Sequence, residues 1–436
     1  AATELVNSLQ RELGDATRLP SALVFEHRTV SQISNLVTPS LLSAVDVVRG
    51  NKDMADTPLY PQEAVVLSGV PTNHLPIELV GILGIAVCMP GQTLAARHMW
   101  SHLEAGTCHV TASPPVRWKQ ACQQHNAPAA CLSGSFLPQD LESTLIAPFG
   151  GFGAAEAKQA DIHVQMLADL SFQAVQDGGW TRDAVKSEPI CVFTGCGVGG
   201  FLLPTSPWAL SRAVASCLRV SGPHQNFDAA CSSAYLATHH ALSAIASRSC
   251  TTALVGGVML QLRPEASMML YVTGVLSTSG QMQPLEVQGD GCVLGEACAA
   301  ILLQPKADDK EHSYGSLLAS SSARNSPLLP DSFADATAMQ QAAQQALRLA
   351  GVAPSQLNVL HPHAMGNPAS DVPEMTGLLE ALKTRQSVHG LPLLGHKSLF
   401  GHSAQASGTL AVVSTVLALQ YCKVPCPVMS RPIKLV

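Results

Sequence analysis

The chain has 436 residues, of which 47% are hydrophobic and 13% are charged, and its formal net charge is −6. That length and apolar content are sufficient for a large buried core and for two or more domains. The negative charge, with no lysine- or arginine-rich run, gives no electrostatic support for binding to nucleic acid or to an anionic membrane.

The thirteen cysteines are an odd number and never occur as Cys-x-x-Cys. Their spacings do not match a zinc site and their flanks are poor in charge, so we expect reduced thiols and an intracellular, cytoplasmic location. The longest apolar run, about 408–419, is well short of the ~20 residues of a membrane span, so we predict no span.

The first 37 residues have the pattern of two short amphipathic helices separated by a proline. In the first of them, Leu5, Leu9 and Leu13 recur at i, i+4 and i+8. Two such helices bury too little surface to fold alone. Residues 38–76 mix Pro, Ser, Asp and Gly without periodicity, and we predict a linker there.

From residue 77 onwards, apolar runs alternate with helical patterns. The runs IELVGILGIAVCMPG, PICVFTG, TTALVGGVML and ACAAILLQP are nearly continuous, as in strands that are buried on both faces. Residues 157–179 and 336–351 have helical periodicity. This alternation predicts an α/β protein whose sheets are covered by helices.

Cys231 lies in NFDAACSSAYLATHHAL, between a strand-like segment and a helical pattern. At a helix N-terminus, free N–H groups and the helix dipole lower the pKa of a thiol from ~8.5, which favours a nucleophilic thiolate. The same local pattern also fits a buried structural cysteine. Local sequence therefore leaves both alternatives open.

Two histidines are candidate partners for this cysteine. His363 in HPHAMGNP and His402 in GHKSLFGHSAQASG each follow a strand-like run and lie beside glycines. A cysteine nucleophile commonly needs a histidine that is close in space, although distant in sequence. Because the chain has sixteen histidines, this pairing alone does not single them out.

Competing motifs are less well supported. Gly195, Gly197 and Gly200 have the G-x-G-x-x-G spacing, yet residues 212–222 offer no acidic group for a ribose, so tight backbone packing is the better interpretation. The histidine pair downstream of Cys231 has no partner at metal spacing, and no G-x-S-x-G elbow is present there. We therefore predict no bound dinucleotide, no metal and no serine hydrolase.

The Cys231 segment resembles the active-site motif V-D-T-A-C-S-S-S of β-ketoacyl synthases (ketosynthases) in modular type I polyketide synthases. SGQMQPLEVQGDGCVLGEACAAILL resembles their S-x-G-x-x-x-P-F-D-x-x-x-D-G-Y-V-x-G-E-G, HPHAMGNPASDVPE resembles E-A-H-G-T-G-T-P-x-G-D-x-x-E, and HKSLFGHSAQASG resembles V-K-S-N-x-G-H-x-x-x-A-x-G. The matching positions include Asp290, Gly291, Gly295, Glu296, His363, Gly366, Pro368, Asp371, Glu374, Lys397, Ser398, Gly401, His402, Ala406 and Gly408.

This resemblance covers residues 77–436 and implies a thiolase-like fold: two similar α/β halves in αβαβα layers, usually a homodimer. Residues 1–37 resemble the last two helices of an acyl carrier protein, without its attachment serine. A carrier remnant followed by a synthase is the domain order of a polyketide assembly line. It implies acyl carrier protein domains and neighbouring polyketide synthase domains as partners.

The resemblance also implies the chemistry. Cys231 would accept an acyl group from a carrier thioester, and a malonyl-type carrier thioester would then lose CO2 and condense with it. His363 and His402 would donate hydrogen bonds to the developing enolate, supported through charge pairing by Lys397 and Glu296. The synthase would bind no cofactor of its own, because its substrates arrive on the phosphopantetheine of an acyl carrier protein.

Departures from the family pattern keep alternatives open. Ala364, Met365 and Asn367 replace a glycine and two threonines of H-G-T-G-T, and Leu294 replaces a frequent arginine. The family also continues beyond RPIKLV into a glycine- and phenylalanine-rich loop, so we expect a C-terminally incomplete domain. The alternatives are a domain that transfers acyl groups without condensing them, or an inactive scaffold or gatekeeper for carrier proteins.

Overall fold

The computed structural model describes residues 79–112, 116–118, 129–138, 160–197, 210–306, 313–326, 334–385 and 391–425. The two helices expected within residues 1–37 and the linker expected at 38–76 lie outside these residues.

A six-stranded mixed sheet lies at the centre of the described structure, in the order β3-β2-β4-β5-β1-β6. Its strands are β1 (Val80–Cys88), β2 (Ile190–Gly195), β3 (His224–Phe227), β4 (Thr252–Met259), β5 (Ala297–Pro305) and β6 (Gly315–Leu317). Strands β2, β3 and β4 are parallel, whereas β5 is antiparallel to both β4 and β1, and β6 is antiparallel to β1. The four apolar runs of the sequence contain β1, β2, β4 and β5, so these strand predictions are confirmed.

The helices of the described residues are α1 (Ala96–Ala105), α2 (Ile162–Asp177), α3 (Arg182–Ser187), α4 (Leu210–Leu218), α5 (Ser233–Ala246), α6 (Glu265–Val272), α7 (Ala336–Ala350), α8 (Pro368–Ala381), α9 (Lys397–Phe400) and α10 (Ser407–Gln420). Helices α2 and α7 confirm the two predicted helical segments. None of the described helices is both long and apolar enough to cross a membrane.

Both faces of the sheet are covered, which explains why its strands are apolar throughout. Ile85 and Val87 of β1 belong to a core cluster with α5 and α10, whereas Ala86 and Cys88 belong to a second cluster with α2 and α4. Successive side chains of a strand point to opposite faces, so each face receives alternate residues.

The two halves of the fold meet at helices α5 and α10. The second half of the described fold, within residues 334–425, has two isolated parallel bridges, Leu360 with Leu393 and His402 with Leu294, and α7 packs against α8. Helix α10 comes from this second half but packs on β4 and β5 and against α5. The α5–α10 pair therefore forms a buried layer to which both halves contribute.

Candidate active site

Cys231 lies at the junction between strand β3 and helix α5. It occupies a 3₁₀ turn, Ala230–Ser232, in which Ala230 has a φ of 50°. The turn is closed by the side chain of Ser233, which donates to the carbonyl of Ala230 at 2.7 Å and accepts from the N–H of Ala229 at 2.9 Å. The half-buried thiol is thus presented just ahead of the first turn of α5.

The electrostatic environment of Cys231 differs from the sequence-based prediction. Burial raises the pKa of the Cys231 thiol, and the Lys397 cation and a backbone N–H only partly offset that effect. The Glu374 carboxylate adds to the increase. The predicted lowering of the thiol pKa at a helix start is therefore wrong in its net direction, because desolvation outweighs the helix terminus.

The fold brings Cys231, His363 and His402 together. The sulfur of Cys231 and one ring nitrogen from each histidine lie within 4.8 Å of one another. The two imidazoles meet edge to face, with ring centroids 5.1 Å apart and planes at 82°. Residues from the start of α5, the loop before α8 and the loop before α10 thus form a single cluster.

His402 is held in place by its backbone. Its N–H donates to the carbonyl of Val293 at 2.7 Å, and its carbonyl accepts from the N–H of Gly295 at 3.0 Å. Gly401, immediately before it, has φ 71° and ψ −176°, a conformation that is essentially restricted to glycine. These constraints fix His402 against the segment that leads into β5.

His363 is held by a carboxylate and a cation. The two oxygens of Glu374, in helix α8, accept from the N–H groups of His363 and Ala364. The ammonium of Lys397, at the start of α9, donates to the carbonyl of His363. The segment that carries His363 is therefore fixed through its main chain from both sides.

Both histidines of the cluster are neutral at physiological pH. Burial lowers the pKa of His402 to about 3, and the Lys397 cation contributes in the same direction. Burial followed by Lys397 likewise lowers the pKa of His363 far below the ordinary value. The buried Nε2 of His363 has no hydrogen-bond partner among the described residues, so its hydrogen-bonding capacity is unused there.

Lys397 is 4% exposed, and Glu374 is the carboxylate that most strongly favours its charged form. Glu296, which the family resemblance implies as a support for the histidines, accepts from the N–H groups of Leu137 at 2.8 Å and Gln261 at 2.6 Å. Sequence reasoning alone leaves Glu374 without a role, although it matches the last acidic position of the HPHAMGNPASDVPE motif. That motif match was the signal that could have identified it.

The residues that depart from the family pattern are structurally accommodated. Ala364 is buried with a φ of 46°, and Met365 packs against an apolar cluster that contains Cys292 and Leu294. The side chain of Asn367 caps α8 by accepting from the N–H of Ala369 at 3.0 Å. These positions therefore supply packing and a helix cap.

A thiol and two neutral imidazoles at this spacing are also groups that can serve as zinc ligands. The Lys397 cation lowers the pKa of both histidines, and the same positive potential opposes a divalent cation at this position. The charge of the site therefore favours a neutral or anionic reactant.

The competing motifs have structural explanations. A side chain at Gly195 would lie 2.7 Å from the backbone nitrogen of Ala234, so this glycine permits the close approach of β2 to α5. Gly200 lies outside the described residues. His240 stacks on Phe227 with ring centroids 4.5 Å apart and belongs to the exposed side of α5.

Comparison with known proteins identifies two adjacent family domains. The β-ketoacyl synthase N-terminal domain matches residues 78–309, and the β-ketoacyl synthase C-terminal domain matches residues 318–429.

Similar curated proteins are much longer than this chain. The phthioceranic/hydroxyphthioceranic acid synthase of Mycobacterium tuberculosis H37Rv is 27% identical over 377 residues, which cover 79% of this chain and 17% of that protein. The non-reducing polyketide synthase mapC of Penicillium roqueforti is 26% identical over 443 residues, covering 97% of this chain and 18% of that protein. The chain thus spans less than a fifth of the length of either relative.

Solved structures confirm the predicted thiolase-like fold class. The ketosynthase from module 6 of the bacillaene synthase of Bacillus subtilis 168 matches with a TM-score of 0.72 at 24% identity, covering 81% of this chain and 63% of that one. An oxazolomycin ketosynthase domain of Streptomyces albus matches with a TM-score of 0.69 at 24% identity, covering 81% and 67%. Since the two family domains together span most of the sequence, the chain belongs to the β-ketoacyl synthase family of condensing transferases, with homologues in polyketide synthases.

Proposed function

We propose that this chain is a ketosynthase of polyketide assembly. It would load an acyl group onto Cys231 and condense it with a malonyl-type thioester, with loss of CO2. The observation that carries the proposal is the cluster itself, a thiol within 4.8 Å of two imidazoles that are neutral at physiological pH.

In the loading step, the Cys231 thiolate attacks the carbonyl carbon of an acyl thioester. The negative oxygen of the tetrahedral intermediate is stabilised by N–H donors, for which the amide of Cys231 at the start of α5 is the candidate. The carbon–sulfur bond to the carrier breaks, and the carrier thiolate leaves and takes up a proton. The acyl group remains bound to Cys231.

In the condensation step, the malonyl carboxylate leaves as CO2 and its bonding electron pair passes into the enolate of the remaining thioester. His363 and His402 donate hydrogen bonds to the enolate oxygen. The enolate carbon then attacks the acyl carbon on Cys231, the new carbon–carbon bond forms, and the Cys231 thiolate is released. Neutral imidazoles suit this step because loss of CO2 generates the carbanion without removal of a proton.

Lys397 and Glu374 act as positioning residues in this scheme. Glu374 holds the main chain of His363 through two N–H groups, and Lys397 holds the carbonyl of the same residue. Lys397 also favours the thiolate form of Cys231. Glu296 retains a supporting role through the backbone of Leu137 and Gln261.

The proposal extends to the surroundings of the domain. Substrates would arrive on the phosphopantetheine of acyl carrier proteins, residues 1–37 would be a carrier fragment joined to the synthase by residues 38–76, and the synthase would work as a homodimer in the cytoplasm. The support for this context is the polyketide synthase relatives, which are several times longer than the chain.

Mass spectrometry of the protein incubated with acetyl- and malonyl-loaded carrier protein tests the proposal. We expect Cys231→Ala to abolish acylation, and His363→Ala to retain acylation and lose the β-ketoacyl product. His240→Ala, on the exposed side of α5, is the control and should behave as the wild type. Equal loss of acylation in both active-site variants would contradict the assigned roles.

A second candidate is an acyltransferase that does not condense. It is motivated by Met365, which provides no hydroxyl beside His363 and packs instead against an apolar cluster. The same experiment separates the candidates, because acylation without CO2 release would identify transfer alone. Absence of acylation would leave a non-catalytic scaffold for carrier proteins.

A further inference from the structure

A second imidazole pair, His361 and His396, lies behind His363 and is not used by the proposed mechanism. The two rings meet edge to face with centroids 5.4 Å apart and planes at 80°. His396 is fully buried, with 0% exposure. Both rings line a cavity of about 20 Å³, which is also lined by Lys397 and Ser398.

The hydrogen bonds of His361 define its tautomer. The hydroxyl of Thr415 donates to the carbonyl of Ala411 at 2.7 Å, and the hydroxyl of Ser414 donates to the same carbonyl at 3.1 Å. With these hydroxyl protons directed to Ala411, we assign a proton to His361 Nδ1, which lies 3.1 Å from the Thr415 oxygen and donates to it. In this tautomer, Nε2 of His361 is an acceptor.

The cavity collects polar atoms that need a partner. His361 Nε2, both ring nitrogens of His396 and the hydroxyl of Ser398 are buried, with no hydrogen-bond partner among the described residues. A buried polar group without a hydrogen-bond partner destabilises the folded state. A cavity of this volume holds one water, which typically makes about three hydrogen bonds to such groups. A water that donates to His361 Nε2 and accepts from a His396 N–H supplies a partner for one nitrogen of each ring.

The two residues are also coupled departures from the family motifs quoted above. His361 stands at the first position of E-A-H-G-T-G-T, where the motif has a glutamate, and His396 stands at the valine of V-K-S-N. In three dimensions these two departures contact each other beside Lys397. The chain thus replaces one acidic and one aliphatic side chain by two neutral imidazoles.

We propose that His361 and His396, bridged by one bound water, are a coupled pair of positioning residues that replaces a carboxylate. The pair fixes the segment that carries His363 relative to Lys397 for the condensation step. This inference rests on the proposed ketosynthase function, because it assigns the pair to one half-reaction of that function.

A double-mutant cycle tests the coupling, using His361→Glu, His396→Val and the double variant, which restores both motif residues. The probes are acetyl- and malonyl-pantetheine thioesters, with Cys231 loading and CO2 release measured separately on the full-length protein. We expect each single variant to lower kcat for CO2 release by about 10–100-fold, with loading and the KM for the malonyl thioester unchanged. The kcat of the double variant for CO2 release should be at least about tenfold higher than the value expected if the two single losses simply multiplied.

Controls separate positioning from folding. His240→Val should leave both half-reactions unchanged, and thermal unfolding of each variant reports whether it folds. If His361→Glu does not fold, His361→Gln replaces it, because glutamine keeps a neutral acceptor toward the cavity. Its kcat for CO2 release should fall by less than about tenfold, as expected when a hydrogen bond worth about 1 kcal/mol is weakened. A crystal structure should show one water bonded to both rings.

Several results would overturn the inference alone. These are single losses that multiply in the double variant, equal losses of loading and CO2 release, or a crystal structure whose cavity holds no water. Wild-type protein that loads Cys231 and releases no CO2 would overturn the proposed function, and the inference with it. The two failures are therefore distinguishable.

Discussion

The reactivity of Cys231 depends on a neighbouring cation more than on its helix. Burial raises the pKa of the thiol, and Lys397 is the largest of the effects that lower it. Lys397 is itself buried and lies at the start of α9, far from Cys231 in sequence. A charged lysine near the thiol offsets part of the desolvation that the buried site imposes.

Replacement of Lys397 by methionine should slow alkylation of Cys231. Removal of the cation raises the thiol pKa further, so less thiolate is present at a given pH, and the rate falls about tenfold for each unit of pKa increase. The measurement is iodoacetamide labelling at pH 8, followed by mass spectrometry of the Cys231 peptide. Lys423→Met, which removes an exposed lysine paired with Glu104, is the matched control. Equal labelling in the two variants would refute the role given to Lys397.

The pH dependence of condensation should reflect neutral histidines. Burial and then Lys397 lower the pKa of His402 to about 3, and the same causes lower that of His363. We therefore expect both rings to stay neutral between pH 8 and pH 6. In single-turnover experiments with pre-acylated Cys231, we expect CO2 release to be flat across this interval. A decline centred near the ordinary histidine value of 6.5 would show that the rings titrate as exposed groups.

At the scale of elements, the short turns between helices and strands position the side chains of the proposed active site. Gly401 lies between α9 and His402 with φ 71° and ψ −176°, whereas Gly351 ends α7 with φ 64° and ψ 24°. Both are positive-φ glycines, but a side chain at Gly401 would lie 2.9 Å from the carbonyl oxygen of Val293, and one at Gly351 would meet no atom within 4 Å. Gly401 is therefore constrained by both its backbone conformation and its surroundings, whereas Gly351 is constrained by its backbone conformation alone.

Gly401→Ala should therefore cost much more than Gly351→Ala. The left-handed conformation at Gly351 costs alanine about 1 kcal/mol. Gly401 has a conformation that is essentially restricted to glycine, and a side chain there would also clash with the segment before β5 that bonds His402. We expect a larger loss of urea stability and at least about a hundredfold loss of CO2 release for Gly401→Ala, since a 1 Å misplacement at a reacting centre has effects of that order. Gly351→Ala should keep full activity. Comparable losses in both variants would exclude a special role for the Gly401 turn.

Strands and helices were predictable from the sequence where their residues are buried in the same way along the whole element. Strands such as β1 and β5 are buried on both faces, so their apolar runs match their actual bounds closely. The turn at Cys231 was also predictable, because a strand pattern changes to a helix pattern there. The sign of the Cys231 pKa shift was not predictable, and neither was the effect of Glu374 on Lys397. Both depend on residues that only the tertiary fold brings near.

At the scale of the whole molecule, α10 links the two halves. It belongs to the second half of the fold, yet Leu410 and Val413, both 0% exposed, are in the core cluster with strands of the six-stranded sheet and with α5. The turn just before α5 carries Cys231, and the loop before α10 carries His402. The same buried interface that joins the halves therefore also sets the separation between Cys231 and His402.

Leu410→Ala tests this shared interface. Removal of a fully buried leucine side chain costs about 2.7–5 kcal/mol, because transfer and cavity contributions add, whereas Leu419→Ala, at a position that is 53% exposed, should cost under about 0.5 kcal/mol. Urea unfolding followed by both circular dichroism and tryptophan fluorescence measures the loss, and the two transitions should shift together since Trp100 of α1 belongs to the same cluster.

Because the interface also spaces Cys231 from His402, CO2 release should fall in Leu410→Ala while Cys231 alkylation persists. If stability fell without any change in the ratio of condensation to loading, α10 would stabilise the halves without setting the geometry of the site.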